Sequence, residues 1–280
     1  MKKVKYFLFL FFLLSMNYCS LFNSISGKKT NIERQNMFPK KNLPLKGAAK
    51  IYWNEYQVPF IETEFDEDAA FLLGMVQAHL RLGQLEMVRK ISQGKISEML
   101  GPFTRSIDQT IRILNFGKAV KEIKKMMPQK TKKWLKFFIK GINFYISKMK
   151  VLPHEFDTLN IKKKKWTIDD FIRISRLYSV DVNWIIWFQF LMMKSKNIPG
   201  WNKLWTRFIQ DGKTAYPSIV NPQNVEKINN IFLQYSKSGS NSIAISSKKT
   251  NTKSALIAND PHLGILLPNI WLLIGYKCKS

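Results

Sequence analysis

Gly239-Ser240-Asn241-Ser242-Ile243-Ala244-Ile245-Ser246, followed by Leu256-Ile257-Ala258-Asn259-Asp260-Pro261-His262-Leu263, is the stretch on which the reading of this chain turns. Two short alternating apolar segments, Ser242 to Ser246 and Ser254 to Ala258, flank a polar connection from Lys248 to Lys253. That pattern predicts a strand, a turn and a second strand. Ser240 then stands at the mouth of a hairpin. A hydroxyl nucleophile needs an adjacent base at neutral pH, and one compact source is the residue's own amino group, freed by cutting the peptide bond before it. Gly239-Ser240 suits that chemistry, because glycine leaves room for the hydroxyl to attack the preceding carbonyl. By itself the tetrapeptide reads first as a solvated turn, with Ser238 and Ser242 as register alternatives for a nucleophile. The rest of the chain has to decide.

With 280 residues, 45 % of them apolar, the chain can bury one large core or two. Its formal charge is +26, from 45 basic and 19 acidic residues. Such an excess fits either a polyanionic partner or a generally lysine-rich composition. The basic residues are dispersed apart from Lys162 to Lys165 and pairs such as Lys124-Lys125 and Lys132-Lys133. No nucleic-acid module is recognisable, and no nucleic-acid partner is expected. Residues 1–18 read as a signal peptide: Lys2, Lys3 and Lys5 precede an apolar run from Tyr6 to Met16 that is too short for a bilayer span of ~20 residues. The expected location is therefore outside the cytoplasm, as a periplasmic protein or a membrane-anchored lipoprotein. Cys19 lies where a lipid-bearing cysteine would lie, but Asn17 and Tyr18 replace the small residues expected before it, so ordinary signal cleavage is the competing reading. The only other cysteine, Cys278, leaves no disulfide framework and no thiolate metal site.

Residues 19–48 read as a linker. Lys50-Ile51-Tyr52-Trp53 and Val58-Pro59-Phe60-Ile61 predict two strands around a turn at Asn54-Glu55-Tyr56-Gln57. Acidic residues from Glu64 to Asp68 then suit a helix N-terminus. Phe71, Leu72, Met75, Val76, His79, Leu82, Leu85, Val88 and Ile91 recur at helical spacing up to Gly94. Further helices are predicted over Ile107 to Lys125 and Lys130 to Met149, ending near Pro128 and Pro153. A third, capped by Thr167 and running to Met193, is apolar on most faces. Together these make a helical region over 49–195. Residues 196–239 lack a sustained period and read as a loop.

Several of these segments share their wording with one family. Gly74-Met75-Val76-Gln77-Ala78-His79-Leu80-Arg81-Leu82-Gly83-Gln84-Leu85-Glu86, Gly94-Lys95-Ile96-Ser97-Glu98-Met99-Leu100-Gly101, Asp108 with Arg112, Gly141-Ile142-Asn143-Phe144-Tyr145, and Leu152-Pro153-His154-Glu155-Phe156 with Trp166 and Asp170 occur in order. They resemble the α chain of the penicillin acylase family of N-terminal nucleophile hydrolases. Gly239-Ser240-Asn241 and Asn259-Asp260-Pro261-His262-Leu263, which ends its histidine 22 positions on (262 minus 240), with Pro268 and Trp271, resemble the start of that family's β chain. Three departures stand out: Gln57 replaces a turn glycine, Phe60 a histidine and Leu80 an aspartate.

The resemblance implies an α+β fold: a mostly helical α-chain region, a processed spacer over 196–239, and from 240 to 280 the first strands of an αββα sandwich. It implies an amidohydrolase precursor that cleaves itself between Gly239 and Ser240. Ser240 would then be the nucleophile, with its freed amino group as base; an α-amino pKa of ~7.7–8.0 leaves a useful unprotonated share near neutrality. His262 would position the nucleophile and present a backbone donor to the acyl oxygen. A histidine there matches cephalosporin-acylase-like and homoserine-lactone-acylase-like members, where penicillin G acylases carry glutamine. The implied substrate is a small-molecule linear amide such as a β-lactam or an acyl-homoserine lactone. No cofactor is needed for the chemistry. Family members hold a structural Ca2+, for which Asp181 is the nearest acid here. His79 and His154 have no chemical companion in sequence and are assigned to packing or caps.

Family β chains continue for several hundred residues. The expectation is therefore that this stretch is truncated and inactive by itself, its partner being a separately encoded β-chain remainder, with membrane contact only through a lipid at Cys19. Ile270 to Tyr276 is expected as an apolar strand without its sheet. The alternative is an inert fragment or a non-catalytic helical binding module.

Overall fold

A computed structural model describes residues 30–179, 199–201, 240–261 and 271–279. Its elements are α1 (Asn31–Asn36), β1 (Ala49–Trp53), β2 (Pro59–Thr63), α2 (Asp66–Ser92), α3 (Ser97–Leu100), α4 (Arg105–Leu114), α5 (Val120–Met126), α6 (Gln129–Lys148), α7 (His154–Thr158), α8 (Ile168–Tyr178), β3 (Ser240–Ile245), β4 (Leu256–Pro261) and β5 (Gly275–Cys278). Helices and a small amount of sheet make the fold α+β. By internal contacts the chain forms two units, one of residues 1–112, 120–174 and 272–280, the other of 113–119 and 175–271.

The first unit is built on α2 and α6. Acidic residues Asp66, Glu67 and Asp68 open α2, where they meet the positive end of the helix dipole. Gly94 closes it at φ 64°, with Lys95 N–H bonded to the Lys90 carbonyl and Gly94 N–H to that of Ile91, the two bonds of a Schellman stop. One residue inside the helix, Arg81, leaves helical geometry at φ −141°, ψ 22°. The helices cross at glycines: a Cβ on Gly74 would lie 2.0 Å from the Phe138 carbonyl oxygen, and one on Gly141 would lie 1.9 Å from that of Phe71. Phe71, Leu72, Met75 and Val76 of α2 and Ile139, Ile142 and Ile146 of α6 are buried in the resulting core.

The segments that carried the resemblance are held by buried polar contacts. Glu86 accepts from the Trp166 indole N–H at 2.7 Å and pairs with Arg89, which also lies over the Trp166 ring. Asn143 bonds both backbone groups of Trp166, at 2.9 and 2.8 Å. Asp108 accepts from the backbone of Ile96 at 2.6 Å and of Ser97 at 2.9 Å. Thr167 and Asp170 cap α8 reciprocally, as the sequence predicted.

Three expectations change. The described part of the linker is folded onto the core: Thr30 and Glu33 form a capping box on α1, Phe38 is buried, and the backbone N–H groups of Lys46 and Gly47 donate to Asp68 at 3.0 Å. The helix expected from Ile107 to Lys125 is two, α4 and α5, because Asn115 turns left-handed at φ 47°. The apolar end does not lack a sheet. Gly275–Cys278 pairs in parallel with β2, giving the order β1-β2-β5, with β1 antiparallel to β2. That pairing joins residues more than 200 positions apart, and local pattern carries no signal for it.

In the second unit, β3 and β4 form an antiparallel hairpin. The Arg176 guanidinium donates to the Phe116 carbonyl at 2.9 Å, and Trp201 is buried.

Candidate active site

The hairpin sets the geometry around Ser240. Residues Ile243, Ala244 and Ile245 pair with Ala258, Ile257 and Leu256, and the ladder continues outward through Ser242 opposite Asn259 and Asn241 opposite Asp260. The last described pair is Ser240 opposite Pro261. Ser240 is the first described residue of its strand, and pairing across the hairpin sets it beside the residue that His262 follows in the chain. The second strand starts two residues later than the sequence predicted and runs on through Asn259 and Asp260, so the Asn-Asp-Pro segment belongs to the strand.

Ser242, a register alternative for the nucleophile, is engaged. Its hydroxyl donates to the Asn259 side-chain oxygen at 2.7 Å, a cross-strand bond on the exposed face. This partner of Ser242 was not foreseen; only the register identifies it. Ser238, Gly239, His262, Asp181 and Cys19 lie outside the described residues.

The other two histidines belong to the first unit. His79 bonds the Tyr145 hydroxyl through Nδ1 at 2.8 Å and meets Phe38 and Trp53 edge-on, with ring centroids 5.3 and 5.9 Å away. Burial, aided by the Arg34 charge, lowers its pKa to about 4, and burial pushes the Tyr145 hydroxyl up to about 12. Both side chains therefore stay neutral near pH 7, as packing groups do. His154 opens α7, whose Glu155 carboxylate lies against Gly83. For calcium, no group of three or more His, Cys, Asp or Glu side chains converges among the described residues. Those residues offer no cage for the ion.

Residues 48–280 match the sequence profile of the penicillin amidase family. The chain belongs to that family. Among its relatives, the acyl-homoserine lactone acylase QuiP of Pseudomonas aeruginosa is 25 % identical over 255 residues, covering 81 % of this chain and 29 % of that protein. Penicillin acylase 2 proenzyme of Pseudomonas sp. strain SE83 is 22 % identical over 252 residues, covering 84 % of this chain and 32 % of that protein. This chain thus spans about 30 % of the length of either penicillin amidase relative. A solved thermostable penicillin G acylase of Alcaligenes faecalis aligns with 63 % of the chain at 18 % identity and a TM-score of 0.43.

Proposed function

We propose that this chain carries the nucleophile of a self-processing acylase, with Ser240 as that nucleophile. The observation behind the proposal is the register that pairs Ser240 with Pro261, the residue before His262. That pairing sets Ser240 across the ladder from the neighbour of His262, the two positions this proposal assigns to one site. Ser240 Oγ would attack the Gly239 carbonyl; the Gly239–Ser240 C–N bond breaks as an ester forms, and the departing nitrogen takes the hydroxyl proton. Water then hydrolyses the ester and leaves Ser240 with a free α-amino group.

That amino group is the base of the second reaction. It takes the Ser240 hydroxyl proton, through a water, as Oγ adds to the substrate amide carbon. The proton passes to the leaving amine as the C–N bond breaks, and water releases the acyl group from the serine ester. His262 is proposed to position the nucleophile and to offer its backbone N–H to the acyl oxygen, a kind of donor worth ~100- to 1,000-fold in turnover. The relatives' names point to acyl-homoserine lactones and penicillins as the substrate classes. The acylase activity is proposed for Ser240 together with the further sequence that the longer relatives carry. Export is part of the proposal, resting on the Lys2 to Met16 segment.

Intact-mass measurement tests the first step. A fragment whose N-terminus is Ser240 is expected, and Ser240→Ala should yield only uncut chain. Recovery of uncut wild-type chain alongside its folded complement sinks the assignment. Release of free amine from an acyl-homoserine lactone and from penicillin G, followed side by side, then identifies the substrate class.

A further inference from the structure

The first unit carries a partly open cavity of about 390 Å3 beside β1. Its lining includes Phe38, Leu43, Ala49 and Trp53, with Lys40, which is exposed, and Gln35, which is half-buried. We propose that this is a binding site for a small amphipathic carboxylate, an aliphatic chain of about ten carbons with its head group against Lys40.

The volume falls within the ~300–1,000 Å3 of small-molecule pockets. At ~30 Å3 for a water-sized group, it has room for about thirteen such groups, enough for a ten-carbon tail and its carboxylate. The walls are fixed before any ligand arrives. Asp68 holds the Lys46 and Gly47 backbone, β1 is paired along its length with β2, and Phe38 packs edge-on against Trp53 with ring centroids 6.1 Å apart. Among the described residues Lys40 has no ion pair, so a cavity with aliphatic and aromatic walls carries one available positive charge. That combination selects a monoanion with an aliphatic body over a polyanion or a sugar. The site shares no residue with Ser240 and does not depend on its chemistry.

Equilibrium dialysis of the full chain against octanoate, decanoate and decanol tests the site. One saturable molecule of decanoate per chain is expected. Decanoate should bind about fourfold tighter than octanoate for each added methylene, and about threefold to fivefold tighter than decanol through the exposed charge pair. Lys40→Gln should abolish the decanoate preference over decanol, Leu43→Trp should fill the cavity and lower decanoate affinity at least tenfold, and Ser240→Ala should change nothing. Should Leu43→Trp fail to fold, Ala49→Phe blocks the same cavity from β1. Absence of saturable decanoate binding, an affinity independent of chain length, or binding that survives the filling substitution in a folded chain overturns the proposal. Loss of binding in Ser240→Ala overturns it as well, by placing the ligand at the hairpin.

Discussion

Gln57 shows how one residue can depart from a family pattern and keep its geometry. The turn between β1 and β2 holds it at φ 61°, the left-handed region where a side chain is strained and glycine is not. Asn54 secures the turn by accepting from Tyr56 N–H at 3.0 Å and Val58 N–H at 2.8 Å. Gln57→Gly relieves the strain but loosens the unfolded chain. The net expectation is a gain of about 0.5–1 kcal/mol, read as a higher urea midpoint at unchanged slope. His79 makes a prediction in pH. Its folded pKa of about 4 lies below the ordinary 6.5, so between these values the unfolded chain binds more protons. This contribution to stability is complete above pH 6.5 and is lost as pH falls through 4. Urea melts of His79→Gln should show a flatter dependence across that window than wild type.

At the scale of elements, the α2–α6 crossing depends on two hydrogen atoms. Gly74 and Gly141 bring each helix within contact of the other's carbonyl oxygens, and backbone cannot step aside as a flexible side chain can. Gly74→Ala or Gly141→Ala should cost at least ~3 kcal/mol or prevent folding, as denaturant titration would show. Removing the α8 cap with Thr167→Ala should cost about 1 kcal/mol. The family wording around these positions was readable in the sequence, but its reason was not. Gly141 reads as an ordinary helix glycine until Phe71 is opposite it, and Asn143 reads as a surface residue until Trp166 is seen to take both its bonds.

For the whole molecule, β5 carries the main consequence. It lies beyond the proposed cleavage point and yet pairs with β2, residue by residue from Phe60 with Gly275 to Thr63 with Cys278. A Cβ on Gly275 would lie 2.4 Å from the Phe60 ring, so the aromatic covers the glycine and pins the register. Cutting at Gly239-Ser240 should therefore leave the two products associated. They are expected to co-elute in size-exclusion chromatography without denaturant, and Gly275→Val should reduce that association by displacing the Phe60 ring.

Sequence alone determined the family, the two hairpins, the long helix with its glycine stop and the Thr167 cap, because apolar period, turn chemistry and short motifs are written within a few tens of residues. The tertiary structure decided the break at Asn115, the folding of 30–48 onto the core, the Ser242–Asn259 bond and the place of β5. Each depends on which distant surfaces meet: the register of a ladder and the closure of a core are set by partners far along the chain, where local patterns carry no record of them.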